Sequence, residues 1–175
     1  MSYNQMFIFV EGEDDARFFE EIIEPKLKKK YNFVRMIKYA NQPIKKIDNY
    51  IKSINAMAGD YIFVTDINNS PCVTDKKQKI QNKYRTIRGD RIIVVIKEIE
   101  GWYLAGLGNT EAKKLKIGAY DVTDTITKEQ FNSLIHKKYD SRIDFMLEIL
   151  KIFSIGLAKQ KNSSFGYFIE KYRIS

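Results

Sequence analysis

Four short apolar runs constrain this chain more than any other feature: 6–10 (MFIFV), 33–39 (FVRMIKY), 61–65 (YIFVT) and 91–96 (RIIVVI). Each has the length of a strand and is apolar at nearly every position, the pattern expected where both faces of a strand are covered. Helical spacing fills the gaps. After the first run, Phe19, Ile22, Ile23 and Leu27 mark one helix face, and Pro25 should kink or restart that helix. After the second, Ile44, Ile47, Ile51 and Ile54 recur at intervals of three and four, with Gly59 expected as the C-cap. Strand, helix, strand, helix, strand predicts a parallel sheet with helices packed on it, and the right-handed crossover rule leaves few ways to connect it. Beyond residue 97 no run reads as a strand, and helices are expected at 98–106, 110–117, 127–138, 141–153 and 162–172. The expectation is therefore an α/β Rossmann-type core of about four mainly parallel strands over 1–106. A helical C-terminal extension, 107–175, would pack on the same domain.

Composition narrows the chemistry. The 175 residues are 44% hydrophobic and 30% charged, a folding composition for one compact domain. No apolar run approaches the roughly 20 residues needed to cross a bilayer, and the N-terminus lacks the pattern of a signal peptide, so a cytoplasmic location is expected. A single cysteine, Cys72, and a single histidine, His136, exclude an internal disulfide and a four-ligand zinc site of the usual kind. Any metal would be held by oxygen, which points to magnesium, manganese or calcium. The formal net charge of +8 favours a polyanionic partner.

In open parallel sheets, ligands sit beyond the C-terminal ends of the strands. The first run ends in Glu11 and Gly12, with Asp15 one helical turn on; the third ends in Asp66 and Asn68; the fourth is followed by Lys97, Glu98 and Glu100. Carboxylates from separate strands would meet at one sheet edge, and their mutual repulsion calls for a cation. Glu13 and Asp14 read as ordinary first-turn acids. Asp15 shares the stripe of Phe19 and Ile22 and should lean inward, while Glu11 prolongs an apolar strand, where an acid is costly unless paired or metal-bound.

The stretch FIFVEGEDD, with Glu11, Gly12 and Asp15, resembles the first motif of the Toprim fold, which occurs in topoisomerases, primases, recombination mediators and overcoming-lysogenization-defect nucleases. TDINNS resembles the second motif, an acidic DxD, with Asp66 at its first acid and Asn68 where the second acid is expected. VVIKEIEGWYLAG is similar to a segment following the fourth strand in small Toprim-like proteins. The resemblance covers roughly residues 6–106. It implies Glu11 as general acid or base in phosphodiester chemistry, Asp66 as the main ligand of Mg2+ or Mn2+, and a metal shell drawn from Glu11, Asp15, Asp66, Asn68 and Glu100. Asn68 departs from the pattern: an amide oxygen ligates a hard cation but brings no charge, so affinity should be weaker unless Glu98 or Glu100 joins. Glu100 reads equally well as a helix N-terminal acid before Trp102.

A phosphodiester transition state gathers negative charge, which metal ions and basic residues stabilise. Lys76, Lys77, Lys97, Lys159 and Lys161 are the candidate contacts to DNA or RNA phosphates. Asn162, Ser163 and Ser164 read as an N-cap region for the final helix, with a phosphate site as the alternative. Trp102, Tyr103, Phe165 and Phe168 read as core. A stand-alone RNA-processing or defence nuclease fits this length better than a topoisomerase or primase, which need further domains. The alternatives are a non-catalytic nucleic-acid-binding or assembly module with a degenerate site, and a phosphoacceptor receiver domain using Asp66.

Overall fold

The computed structural model describes residues 4–174, which divide into two compact units, Met1–Val94 and Val95–Ser175. Four strands, β1 (Gln5–Val10), β2 (Phe33–Lys38), β3 (Asp60–Asp66) and β4 (Ile92–Val95), form one sheet in the order β2-β1-β3-β4. β1 runs parallel to both of its neighbours, with Phe9 beside Ile37 on one side and Phe63 on the other. The chain is therefore α/β and Rossmann-like, as the alternation of strand and helix periodicities predicts.

The expectation of strands covered on both faces holds for β1, β3 and β4, and fails for β2. Its residues are exposed or half-buried with none fully buried, and Phe33 is 38% exposed. β2 is the outer strand of the sheet, so among the described residues no strand pairs with its far edge, and its sequence carries Arg35 and Lys38 among the apolar residues. Charged residues on an edge strand also guard against unwanted pairing.

After β1 the chain forms α1 (Glu13–Phe18), one π-helical turn (Phe19–Ile23) and α2 (Glu24–Leu27). Pro25 lies in the first turn of α2 and cannot donate a backbone hydrogen bond, so the widened turn before it is where the helix restarts. This segment buries Ala16, Phe18, Phe19, Ile23 and Leu27. α3 (Ile44–Ala56) follows β2 and buries Ile47, Ile51 and Ile54 against one sheet face. On that face Phe63 stacks on Tyr39 with ring centroids 4.5 Å apart, and Phe9 stacks on Phe63 at 5.8 Å.

α4 (Val73–Lys83), between β3 and β4, has no counterpart in the sequence reading. Its sequence, VTDKKQKIQNK, buries only Ile80 and so shows no apolar stripe. A 3-10 turn (Gly89–Arg91) leads into β4.

The second unit is helical: α5 (Glu100–Ala105), α6 (Asn109–Lys114), α7 (Lys128–Ser133), α8 (Arg142–Lys151), α9 (Ile155–Lys161) and α10 (Ser163–Tyr172). α9 was not expected, being short and only partly apolar. Among the described residues no helix is long and apolar enough to cross a membrane.

The end of α3 differs from expectation in an instructive way. The left-handed residue is Ala58 (φ 53°), while Gly59 has negative φ. Ala58 N–H bonds to Asn55 O and Gly59 N–H to Ile54 O, the two bonds of a Schellman motif with Ala58 at its left-handed position. Glycine at 59 answers to space instead, because a Cβ there would lie 3.1 Å from Ile54 Cγ2. An L-residue in this conformation is strained by roughly 1–2 kcal/mol. Ala58→Gly should relieve that strain, offset by greater freedom in the unfolded chain, for a net gain of about 0.5–1 kcal/mol. A higher denaturant midpoint at unchanged m-value would show it; a lower midpoint would refute the account.

Candidate active site

The end of β1 is held on its β2 side. Tyr39 N–H donates to Val10 O at 3.0 Å and Ala40 N–H to Glu11 O at 3.3 Å, so the ladder runs on to Glu11, whose side chain is half-buried. The chain then bends at Gly12, and Asp15 reaches back so that its Oδ2 accepts from Gly12 N–H at 3.2 Å. Asp15 is buried, as its helical stripe predicts. Glu13 and Asp14 behave as first-turn acids, Glu13 paired with Lys38 at 2.5 Å and Asp14 with Arg17 at 2.7 Å. Gly12 has extended backbone angles and nothing within 4 Å of where a Cβ would sit, so neither strain nor crowding demands a glycine there.

Asp66 ends β3 with its Oδ1 buried. Asn68, two residues on, is exposed and left-handed (φ 48°), a conformation that asparagine tolerates better than most residues. The local turn thus gives Asn68 a backbone role of its own.

Two side chains lie within electrostatic reach of the acids. Tyr39, almost fully buried, donates its hydroxyl to Val64 O at 2.9 Å. Burial pushes its phenol well above the ordinary range; a hydrogen bond with Thr65 opposes this, and the charges of Glu11 and Asp15 add to it. Lys76, half-buried on α4, has its ammonium pKa lowered by burial, while Glu11 and Asp66 pull it back up and Lys79 and Lys83 lower it further. Glu11 and Asp66 therefore follow the C-terminal ends of the two central, adjacent strands, Lys76 feels the charge of both, and Tyr39 feels that of Glu11 and Asp15. The sequence reading named Lys76 only as a contact to phosphate and did not foresee Tyr39. A tyrosine ending an apolar strand carries no signal beyond packing.

The sheet order adds a topological argument. From β1 the chain moves to one side to form β2, then crosses β1 to form β3, so the direction of winding reverses between β1 and β3. Ligand crevices in open α/β sheets lie at such reversals, and Glu11 and Asp66 stand at the ends of those two strands.

Among the described residues no three His, Cys, Asp or Glu side chains are gathered as a metal cage. Magnesium is commonly bound through one or two carboxylates, with water and substrate phosphate completing its shell. Glu11 and Asp66 supply a donor set of that kind.

The remaining candidates belong to the helical unit or to α4. Glu100, 3% exposed at the start of α5, has an Oε1 that accepts from the Arg142 guanidinium of α8. Burial raises its carboxyl pKa, Arg142 opposes that rise and Glu98 adds to it. Glu98 in turn accepts from Lys128 N–H. Lys97 is exposed and left-handed (φ 61°). Lys159 pairs with Glu170 at 3.2 Å, and Lys161 Nζ donates to Leu107 O at 2.7 Å. Lys77 is half-buried on α4.

The segment before α10 is a structural cap. Asn162 Oδ1 accepts from Phe165 N–H at 3.0 Å and from the Ser164 hydroxyl at 2.9 Å, and Ser164 Oγ accepts from Trp102 Nε1 at 2.8 Å. Trp102 packs edge-on to Phe165 and stacks on Phe168, so these aromatics are core, as expected.

The chain matches no family model, no curated protein and no solved structure.

The Glu100–Arg142 pair gives a test with a pH signature. Arg142→Met should cost about 2–3 kcal/mol near neutral pH, because it leaves a buried carboxylate without its cation. A carboxyl whose folded pKa is raised contributes stability below its unfolded value near 4.5 and loses it as pH rises through the folded value. The deficit of Arg142→Met should therefore be small below pH 4.5 and grow above it. Denaturant melts across that range that gave a pH-independent deficit would refute the pairing.

Proposed function

We propose that the protein carries out metal-dependent phosphodiester chemistry on DNA or RNA, as a small Toprim-like nuclease with Glu11 as general acid or base and Asp66 as the principal ligand of Mg2+ or Mn2+. The observation that carries this reading is the placement of Glu11 and Asp66 at the winding reversal between β1 and β3, with Lys76 under the influence of both. Glu11 and Asp66 would hold the cation, with Asn68 Oδ1 as a neutral third donor. When bound, it would offset charge on the phosphate and lower the pKa of a coordinated water. Glu11, half-buried at a strand end, suits the handling of a proton on the attacking or leaving oxygen. The Lys76 ammonium suits a non-bridging phosphate oxygen, and the open space beside Gly12 leaves the backbone accessible to a bulky polyanion.

A non-catalytic nucleic-acid-binding module is the second reading. The lack of a three-residue ligand group among the described residues and the neutral Asn68 favour it.

Cleavage of labelled single- and double-stranded DNA and RNA, with millimolar Mn2+ or Mg2+ and with chelator, decides between them. The nuclease reading expects metal-dependent products, a rate lowered about 10^2–10^4-fold by Glu11→Gln and a comparable loss in Asp66→Asn. Gly12→Ala should keep the fold and raise thermal stability slightly, by about 0.4–1 kcal/mol, because an unstrained alanine there only restricts the unfolded chain. Binding that weakens steeply with salt and yields no product under any metal condition would establish the module instead.

A further inference from the structure

The open edge of β2 adjoins a groove that nothing in the proposed catalytic reading uses. Between β2 and α3 lies a cavity of about 450 Å³ whose walls include Phe7, Phe33, Ile37, Ile54 and Met57, with Arg35 at its polar side. Phe33 and Met57 are 38% and 59% exposed, large apolar groups left in contact with water. A second depression of about 480 Å³ shares Tyr50 and Ser53 with the first and brings in Lys45 and Lys46. No acidic residue lines either one among the described residues.

The backbone of β2 completes the surface. Phe33 N–H and Tyr39 N–H both bond to the β1 side, at Asn4 O and Val10 O. In a parallel ladder the residues of this parity face β1, so the N–H and C=O groups of Val34, Met36 and Lys38 point outward along the free edge. Apolar wall, free strand edge and cationic rim lie side by side within one unit.

We propose that this groove binds an extended peptide segment of a partner protein by β-strand addition, one in which acidic residues alternate with apolar ones. Backbone hydrogen bonds to Val34, Met36 and Lys38 would supply affinity, and alternate side chains would enter the groove. The selection for acidic residues comes from Arg35, Lys45 and Lys46, with no acid among the described residues that line the two depressions. Arg35 also disfavours a second copy of this chain, since pairing two β2 strands edge to edge brings the Arg35 of both into one ladder.

Fluorescence anisotropy with a labelled peptide of about eight residues, spanning a strand and alternating Glu with Val or Leu, tests this directly. A matched peptide with Lys in place of Glu and a single-stranded oligonucleotide serve as comparisons. The expected result is saturable binding of the acidic peptide, at least tenfold tighter than the Lys peptide, and weakened at least tenfold by Arg35→Glu and by Met36→Pro. Met36→Pro removes an outward N–H on an edge strand while leaving the β1 ladder donors in place, and Arg35→Glu alters an exposed side chain without touching the backbone. Circular dichroism melts confirm that each variant is folded, and if Met36→Pro unfolds, Arg35→Glu alone decides. No acidic-peptide binding at millimolar concentration, equal binding by Arg35→Glu, or preference of this surface for the oligonucleotide would overturn the proposal. So would a wild-type dimer by sedimentation that Arg35→Glu or Met36→Pro dissociates, since the groove would then be occupied by a second copy.

Discussion

The pairing of β1 with a parallel neighbour on each side supports everything else in the first unit. It satisfies the backbone of a fully buried apolar strand, which would otherwise bear unmatched polar groups. It also aligns Phe9 and Phe63 under Tyr39, so that the aromatic layer stabilises the sheet just below the edge where Glu11 and Asp66 emerge. The carboxylates are thus carried on the ends of the most constrained strands in the unit. Their proximity follows from strand register and not from any contact of their own.

The same ladder explains why acids can be tolerated at this place. Glu11 has its carbonyl engaged by Ala40 N–H, and the Asp15 carboxylate accepts from the Gly12 amide, so the backbone is anchored on both sides of the bend and one of the acids is itself satisfied. Lys76 on α4, half-buried, feels the charge of both Glu11 and Asp66 and offsets part of their repulsion. The helical unit uses its polar residues differently. Asn162 caps the start of α10, Ser164 accepts from the Trp102 indole N–H, and buried Glu100 is paired with Arg142, so each of these polar groups has a partner inside the unit.

The legibility of this chain varied with the strength of its periodicity. The strands and α3 were readable because burial on one or both faces imposes a spacing that survives in sequence. α4 and α9 were not, since each buries a single residue and so leaves no stripe to detect. Ala58 shows a subtler limit: glycine is the usual left-handed residue, so Gly59 drew the assignment, while its neighbour took the conformation. At the site, Glu11, Asp15 and Asp66 were legible as acids at strand ends. Tyr39 was hidden because a buried phenol beneath carboxylates is indistinguishable in sequence from any strand-terminal tyrosine.

By itself the sequence determined the α/β class, the strand positions, the helical character of the C-terminal part and the location of the acids at strand ends, since each depends on local periodicity. Tertiary structure alone decided which strands are neighbours. The order β2-β1-β3-β4 puts Glu11 and Asp66 on adjacent strands at a reversal of winding, and it leaves β2 as an edge with a groove beside it. It likewise assigned Glu100 to Arg142 and Lys161 to Leu107, because the partner of a buried charge is chosen by packing between segments far apart in the chain. Long-range pairing leaves no trace in local spacing, and both the catalytic reading and the peptide groove rest on it.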